Sequence, residues 1–371
     1  MKNIGIFTFQ WFDNYGTVLQ AYALQTCLKG LGHNAHIVPL SSNHLKGLRR
    51  FMSKTPWGAW QKLMTFLWEG GNRRQNMYNK FRQMHFDYSR SPLSFTEALS
   101  TIWSEDVLVW GSDNIWSPWC VWPDDQPMSK VFFGDGIVHK RKLAYAASTG
   151  ALFERHPKCR EVLARIKQAG FEAIGLREMA NVGFFRENGI DVVHTPDPSL
   201  LMTREMWGAY ECDDLVPGSQ YVFGYELGHL VKFSVRECCE EIASGQPLKV
   251  LIPYPKKFWR DRDVACHPDP FEWIALLSHA TYVVTDSFHG VMFSLIFHRP
   301  FIFLSAHDED GRVNMRANEI LKKVGLISRV LPENAEKRDL LELMSTPIDW
   351  PKVDAILEGF RKEGIEFLKR I

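Results

Sequence analysis

The sequence predicts an α/β protein built from two Rossmann-like domains that face each other across a cleft. Three observations carry that prediction. A chain of 371 residues is longer than one hydrophobic core usually serves. Short, apolar, β-favouring runs alternate with segments of helical period, the pattern of a parallel sheet covered by helices. The alternation is interrupted at the acidic stretch AYECDDLVPGSQ and then resumes at the same grain.

The elements follow in order. NIGIFTF reads as a first strand, and GTVLQAYALQTCLKGLG as a helix, with Ala21, Leu24, Leu28 and Leu31 at helical spacing and Gly30 and Gly32 to stop it. AHIVPL completes a βαβ unit. Residues 44–90 differ in character. They carry ten Lys or Arg against Glu69 and Asp87, with Trp57, Trp60 and Trp68 interleaved. This is expected to be a helical insertion whose basic face is either solvated or in peripheral contact with anionic lipid or a lipid-linked acceptor. Strands are then expected at DVLVW, KLAYAAS, AIGLRE and DVVH, with helices between, which gives a first domain over 1–205. A second domain is expected over 216–345, with strands at YVFGYEL, LKVLIPY, YVVT and FIFL. Residues 350–371 have an amphipathic pattern and are expected to form a helix, free to pack back on the first domain.

Composition narrows the function. The formal net charge of +1 provides no global field for nucleic acid, and no nucleic-acid partner is expected. Seven cysteines without a C-x-x-C pair fit neither a disulfide framework nor a structural zinc site, and suit a reducing compartment. The N-terminus has no long apolar run of the signal-peptide type, and no segment approaches eighteen apolar residues. A cytoplasmic protein is expected, peripheral at the inner face of the membrane if the insertion touches lipid.

Parallel sheets bind ligands beyond the carboxyl ends of their strands, where helix N-termini present free N–H groups. Polar residues gather at such places here: Asp13, Asn14, Tyr15 and Gly16; Gly111, Ser112, Asp113 and Asn114; Ser148 and Thr149; Arg177 and Glu178; Asp197; and Asp286, Ser287, His289 and Gly290. The last group lies in YVVTDSFHGVMF, a polar knot between two apolar runs, and reads as a strand-to-helix turn whose backbone amides around Phe288 to Gly290 form an anion site. Asp286, taken alone, reads as a helix cap.

Seven segments in order resemble the polysaccharide pyruvyl transferase family: NYGTVLQAYALQTCLKGLGH, LVWGSDNIWSP, KLAYAASTG, GLRE, PDPSLL, the long run DPFEWIALLSHATYVVTDSFHGVMFSLIFHRPFIFL, and NMRANEILKKVGL. The resemblance implies a GT-B-like fold and phosphoenolpyruvate as donor substrate, with no cofactor. The reaction it implies moves the pyruvyl carbons onto two hydroxyls of a sugar as a cyclic ketal and releases phosphate. The family's donor arginine and histidine fall on Arg177 and His289. Some relatives read Arg-Leu-His where this chain has Ser287-Phe288-His289, so one cation is expected from elsewhere, with Arg312, Arg316, Lys140 and Lys142 as candidates.

The chemistry of the residues agrees. Phosphoenolpyruvate carries a carboxylate and a phosphate, which suit a guanidinium fork and turn amides. Histidine exchanges protons near neutral pH, so His289 is expected as general acid or base beside Arg177. Ser287, Phe288, His289, Gly290, Arg312 and Arg316 are expected at the donor. Asp13, Asn14, Gly16, Ser112 and Asp113 are expected to position the sugar, an oligosaccharide or lipid-linked acceptor. The alternative is a GT-B glycosyltransferase using a nucleotide sugar, with Glu226 or Glu272 toward a ribose. Asp308-Glu309-Asp310 forms a D-x-D, but reads as a solvated loop, and no metal is assigned.

Overall fold

The structure, a computed structural model, describes residues 1–40, 60, 73–118, 126–150, 153–210, 212–228, 231, 233–254, 262–304, 315–332 and 335–371. Six parallel strands form the first sheet: β1 (Asn3–Phe7), β2 (Asn34–Ile37), β3 (Val107–Trp110), β4 (Arg141–Ala147), β5 (Ala173–Leu176) and β6 (Val193–His194), in the order β2-β1-β3-β4-β5-β6. Past their amino ends the central strands are apolar and buried, as parallel strands covered on both faces must be. Chain direction across the sheet reverses between β1 and β3. That switch opens a crevice at the carboxyl edge.

The second sheet holds β7 (Tyr221–Tyr225), β8 (Lys249–Pro253), β9 (Ala265–Cys266), β10 (Tyr282–Thr285), β11 (Phe301–Leu304) and β12 (Val330–Leu331), all parallel, in the order β12-β11-β10-β7-β8-β9. Read from its other edge, this is the doubly wound order 3-2-1-4-5-6, with its own switch between β7 and β10. The sequence reading passes over β9 and β12, two-residue strands at the edges of the sheet, although it finds the equally short β6 within DVVH.

Aromatic side chains join the two domains. Tyr15, at the start of the Tyr15–Gly30 helix, stacks on Trp273 of the second domain at 5.2 Å, and its hydroxyl donates to the Pro268 carbonyl at 2.8 Å. Tyr22 meets Phe271 at 5.4 Å. These rings belong to one continuous apolar cluster that spans both domains. Burying rings of this size contributes about 2–3 kcal/mol each.

The described part of the insertion takes part in that seam. The helix Arg73–His85 puts Phe81 against Phe271 at 4.9 Å, and Arg74 over the Tyr254 ring at 5.0 Å. Arg82 is buried. It donates to the Gln10 carbonyl at 2.6 Å, the Phe12 carbonyl at 2.8 Å and the Asp13 carboxylate at 2.9 Å. Arg90 pairs with Glu105 and stacks over Trp103. These three cations are therefore engaged inside the protein, which departs from the expected solvated or lipid-facing basic surface. Arg73 and Lys80 on the Arg73–His85 helix, like Trp60, are exposed, in keeping with a solvated face, and Lys46, Arg49, Arg50, Lys54 and Lys62 lie outside the described residues. Among the described residues no helix is long and apolar enough to cross a membrane.

The final helix, Trp350–Leu368, lies on the first domain. Phe367 meets Tyr145 at 5.9 Å, and Phe360 meets His194 at 5.6 Å. Gly364 permits the approach, since a Cβ there would stand 2.6 Å from the Tyr145 hydroxyl.

Two predictions follow from this packing. Arg82→Ala orphans two carbonyls and Asp13, and is expected to lower unfolding free energy by about 2–3 kcal/mol in urea, with Arg82→Lys recovering only part because it lacks the planar fork. Burial, and then Lys323, lowers the His194 imidazole to about 4, against about 6.5 when unfolded. The unfolded chain therefore takes up the proton first. This contribution to stability is complete above about pH 6.5 and is lost as pH falls toward about 4. His194→Gln is expected to flatten the fall in Tm between about pH 6.5 and 5; an unchanged slope contradicts the assignment.

Candidate functional site

Strand β5 ends by delivering Arg177 and Glu178 to the carboxyl edge of the first sheet, and the chain leaving β6 delivers Asp197 beside them. Asp197 Oδ1 accepts the Ser199 N–H at 3.0 Å, which fixes the carboxylate on the short turn Pro198–Leu201. Its other oxygen, Oδ2, accepts from Arg177 Nη1 at 3.1 Å and stands 3.6 Å from His289 Nε2 of the second domain. The latter is an ion-pair separation, too long for a hydrogen bond, and Nε2 has no hydrogen-bond partner among the described residues.

Arg177 is only 4% exposed. Its Nη2 reaches Asn114 Oδ1 at 3.4 Å and lies 3.7 Å from Asp113, while Nε lies 3.8 Å from Glu178. Burial alone would lower the guanidinium's pKa, but Asp197, Glu178 and Asp113 outweigh it and the net shift is upward. Burial likewise works to raise Asp197, yet His289 and Arg177 hold its carboxyl well below the usual range. The first-domain side of the site thus carries buried, mutually stabilised charges.

His289 occupies the second position of the helix Phe288–Ile296, which follows β10 at the switch point of the second sheet. Ser287 caps that helix by accepting the Gly290 N–H at 3.4 Å. Asp286 has a different task from the expected cap. Its carboxylate accepts the N–H groups of Leu227 at 2.6 Å and Gly228 at 3.1 Å, binding the loop after β7. Gly290 seats the helix on β10, because a Cβ there would meet Thr285 Oγ1 at 2.3 Å. Of the turn's amides, Ser287 donates to Thr285 Oγ1 at 3.0 Å and Gly290 to Ser287. Phe288 and His289 supply the first two N–H groups of the helix, where no intrahelical acceptor exists.

The residues expected at the sugar divide into groups. Gly16 touches His289 directly: a Cβ at position 16 would stand 2.0 Å from His289 Nδ1. Asp113, in the left-handed region at φ 81°, accepts from Thr17 Oγ1 at 3.1 Å and faces Arg177. Asn14 caps the Tyr15–Gly30 helix, and Asp13 is paired with Arg82. Ser112 is fully buried and donates to the Ala146 carbonyl at 3.0 Å, so it builds the sheet edge instead of facing a ligand.

Of the four candidate cations, Arg316 stands at the turn, 5.3 Å over the Phe288 ring, with Arg177 5.9 Å from the same ring. Lys140 and Lys142 lie at the opposite, amino end of β4, donating to the carbonyls of Glu105 and Ile137. Arg312 and the D-x-D at 308–310 lie outside the described residues. Glu272 closes a capping box with Asp269. Asp197, Asn114, Glu178 and Ser148 belong to the site, although sequence reading placed them only at strand ends. Glu178 accepts from the Ser148 hydroxyl and the Thr149 N–H. Arg177, Asp197, Phe288, Arg316 and Glu319 line a pocket of about 20 Å³ between the domains, room for roughly one water. Among the described residues no three His, Cys, Asp or Glu side chains cluster as metal ligands.

Several solved structures share the fold. The UDP-GlcNAc 2-epimerase of Neisseria meningitidis, solved with UDP-GlcNAc bound, is similar at a TM-score of 0.56 and 10% identity over 100% of both chains. The UDP-N-acetylglucosamine 2-epimerase of Rickettsia bellii is similar at 0.55 and 11% identity, over 99% of this chain and 95% of that one. The glycotransferase of kitacinnamycin is similar at 0.51 and 13% identity, over 100% and 98%. At these identities the likeness is one of fold, the GT-B arrangement of two Rossmann-like domains. No curated protein matches the chain in sequence. A family model described as polysaccharide pyruvyl transferase matches residues 14–308, a span that contains Gly16, Arg177, Asp197 and the His289 turn. The chain therefore belongs to the polysaccharide pyruvyl transferase family.

Proposed function

We propose that the protein transfers the pyruvyl group of phosphoenolpyruvate to two hydroxyls of one sugar in a polysaccharide or its lipid-linked precursor, forming a cyclic ketal and releasing phosphate. The observation that carries this reading is the convergence of Arg177 and His289 on one oxygen of Asp197, from opposite domains, with Arg316 across the Phe288 ring. A donor with two anionic groups suits two guanidinium groups and the first N–H groups of a helix.

The chemistry divides among these residues. One sugar hydroxyl adds to C2 of the donor while the methylene C3 takes a proton from His289, which turns it into a methyl group. The C2–O bond to phosphate then breaks, and the second hydroxyl closes the ketal on C2. Two protons leave the hydroxyls. One replaces the proton given to C3 and the other departs with phosphate, so the step balances. Arg177 steadies the negative charge of the donor and leaving group, and Asp197 orients both Arg177 and His289. Asp113 and the Asn14 edge, opposite the turn, are where the sugar hydroxyls enter. Of the two residues considered for a ribose in the nucleotide-sugar alternative, Glu272 is engaged in capping, which leaves Glu226.

His289 owes its position to Gly16, whose missing side chain makes room for the ring. Tyr15, stacked on Trp273, holds that glycine in place.

Thermal unfolding of wild type and Arg177→Ala with phosphoenolpyruvate or UDP tests the donor. Saturation near a hundred times Kd adds about 2.7 kcal/mol, a rise of a few degrees. A rise with phosphoenolpyruvate that vanishes in the variant supports the proposal; a rise with UDP alone sinks it. Arg177→Lys is expected to lower kcat/KM at least about a hundredfold, since an ammonium lacks the fork. His289→Gln is expected to lower kcat by roughly 10²–10⁴ while phosphoenolpyruvate still binds. Gly16→Ala places a methyl where His289 sits, and is expected to lower kcat about a hundredfold. In a His289→Ala background the same change should be neutral or slightly stabilising, because Ala is the better helix former. Equal effects in both backgrounds would show that the contact does not position His289.

A further inference from the structure

The helix Met179–Glu187 starts at the carboxyl edge of the first sheet, directly after Arg177 and Glu178. Its N-cap residue, Glu178, makes no side-chain cap; that carboxylate turns back to Ser148 and Thr149. The open N–H groups are covered from the other domain. Glu319 accepts the Met179 N–H on Oε2 at 3.2 Å and the Ala180 N–H on Oε1 at 3.0 Å. Glu319 lies three residues after Arg316 in the helix Met315–Lys323, so both side chains leave the same face. Both line the 20 Å³ pocket together with Arg177 and Asp197.

Two further features distinguish this N-terminus from an ordinary capped helix end. Arg177, buried at its mouth, keeps an Nε without a hydrogen-bond partner among the described residues. Burial raises the pKa of the carboxylate that fills it, Glu319, and nearby Glu178 adds to the effect, against the pull of the Ala180 and Met179 N–H groups and of Arg316.

We infer that Glu319 is a resident stand-in for an anionic group of the substrate, covering the N-terminus of the Met179–Glu187 helix across the cleft until a phosphate displaces it beside Arg177 and Arg316. The inference rests on the donor reading above and deepens it by assigning the donor's phosphate to this helix. A phosphate offers three oxygens to two amides and two guanidinium groups, a better match than the two oxygens of a carboxylate. Displacement would also break this polar contact between the domains. Apparent phosphate affinity is then reduced by the fraction of molecules in which Glu319 is engaged.

The test is calorimetric titration of inorganic phosphate, and separately of phosphoenolpyruvate, into wild type, Glu319→Ala and the near-isosteric Glu319→Gln at constant ionic strength, with Tm recorded for each. Phosphate is expected to bind about tenfold more tightly once the competing carboxylate is gone, and the gain should vanish in Glu319→Ala/Arg316→Gln. Lower Tm with phosphate affinity unchanged or weaker overturns the inference and leaves Glu319 as a structural cap. A gain that persists in the double variant also overturns it, because the phosphate then binds elsewhere. Tighter phosphate with no binding of phosphoenolpyruvate to any variant upholds the stand-in and removes the donor reading. Phosphoenolpyruvate binding to wild type with no phosphate gain does the reverse.

Discussion

The site depends on one shared oxygen. Asp197 Oδ2 receives Arg177 and faces His289, and these two residues come from different domains. A carboxylate removed from water is tolerated only where its charge is answered. Arg177 and His289 answer it together, and its pKa falls accordingly. Removing Arg177 would leave that charge without its hydrogen-bonded cation, and His289 faces it from the other domain, so the carboxylate bears on how the two sheets face each other as well as on the chemistry.

The rest of the architecture supports that contact. The aromatic seam of Tyr15, Tyr22, Phe81, Phe271 and Trp273 joins the domains on an apolar surface. It places Gly16 against the His289 ring, where a single methyl group would not fit. On the other side of the pocket Glu319 reaches back to the first domain's helix. The domains are therefore held by an apolar seam and by polar contacts at the site. An apolar seam is indifferent to small changes in charge, whereas the polar contacts can be exchanged for those of an anionic ligand.

Much of the fold was legible in the sequence. Apolar runs at DVLVW, YVVT and FIFL, and helical spacing in the segment after β1, reflect burial on both faces of a strand and on one side of a helix. The edge strands β9 and β12 were not legible, whereas the equally short β6 was found within DVVH, because β9 and β12 exist only through pairing with β8 and β11. At the site, GLRE and DSFHG stood out as polar residues ending apolar runs, and Arg316 was one candidate among four. Asp197 and Glu178 were visible at strand ends without any sign that they would surround Arg177. Ser112 looked available and is buried, since a hydroxyl in a glycine-rich turn reads alike whether it faces a cleft or a neighbouring strand's carbonyl.

By itself the sequence determined the two α/β domains, the turn that carries His289, the strand end that carries Arg177, and membership of the pyruvyl transferase family, because each is written in local pattern or in the order of motifs. Only the tertiary structure decided that Asp197 joins Arg177 to His289, that Arg316 and not Lys140 or Lys142 stands at the turn, and that Glu319 caps a helix in the other domain. Those contacts join residues 92, 28 and 140 positions apart in the chain (197 to 289, 288 to 316, 179 to 319). No local pattern encodes such a distance; the packing of two sheets across an apolar seam does.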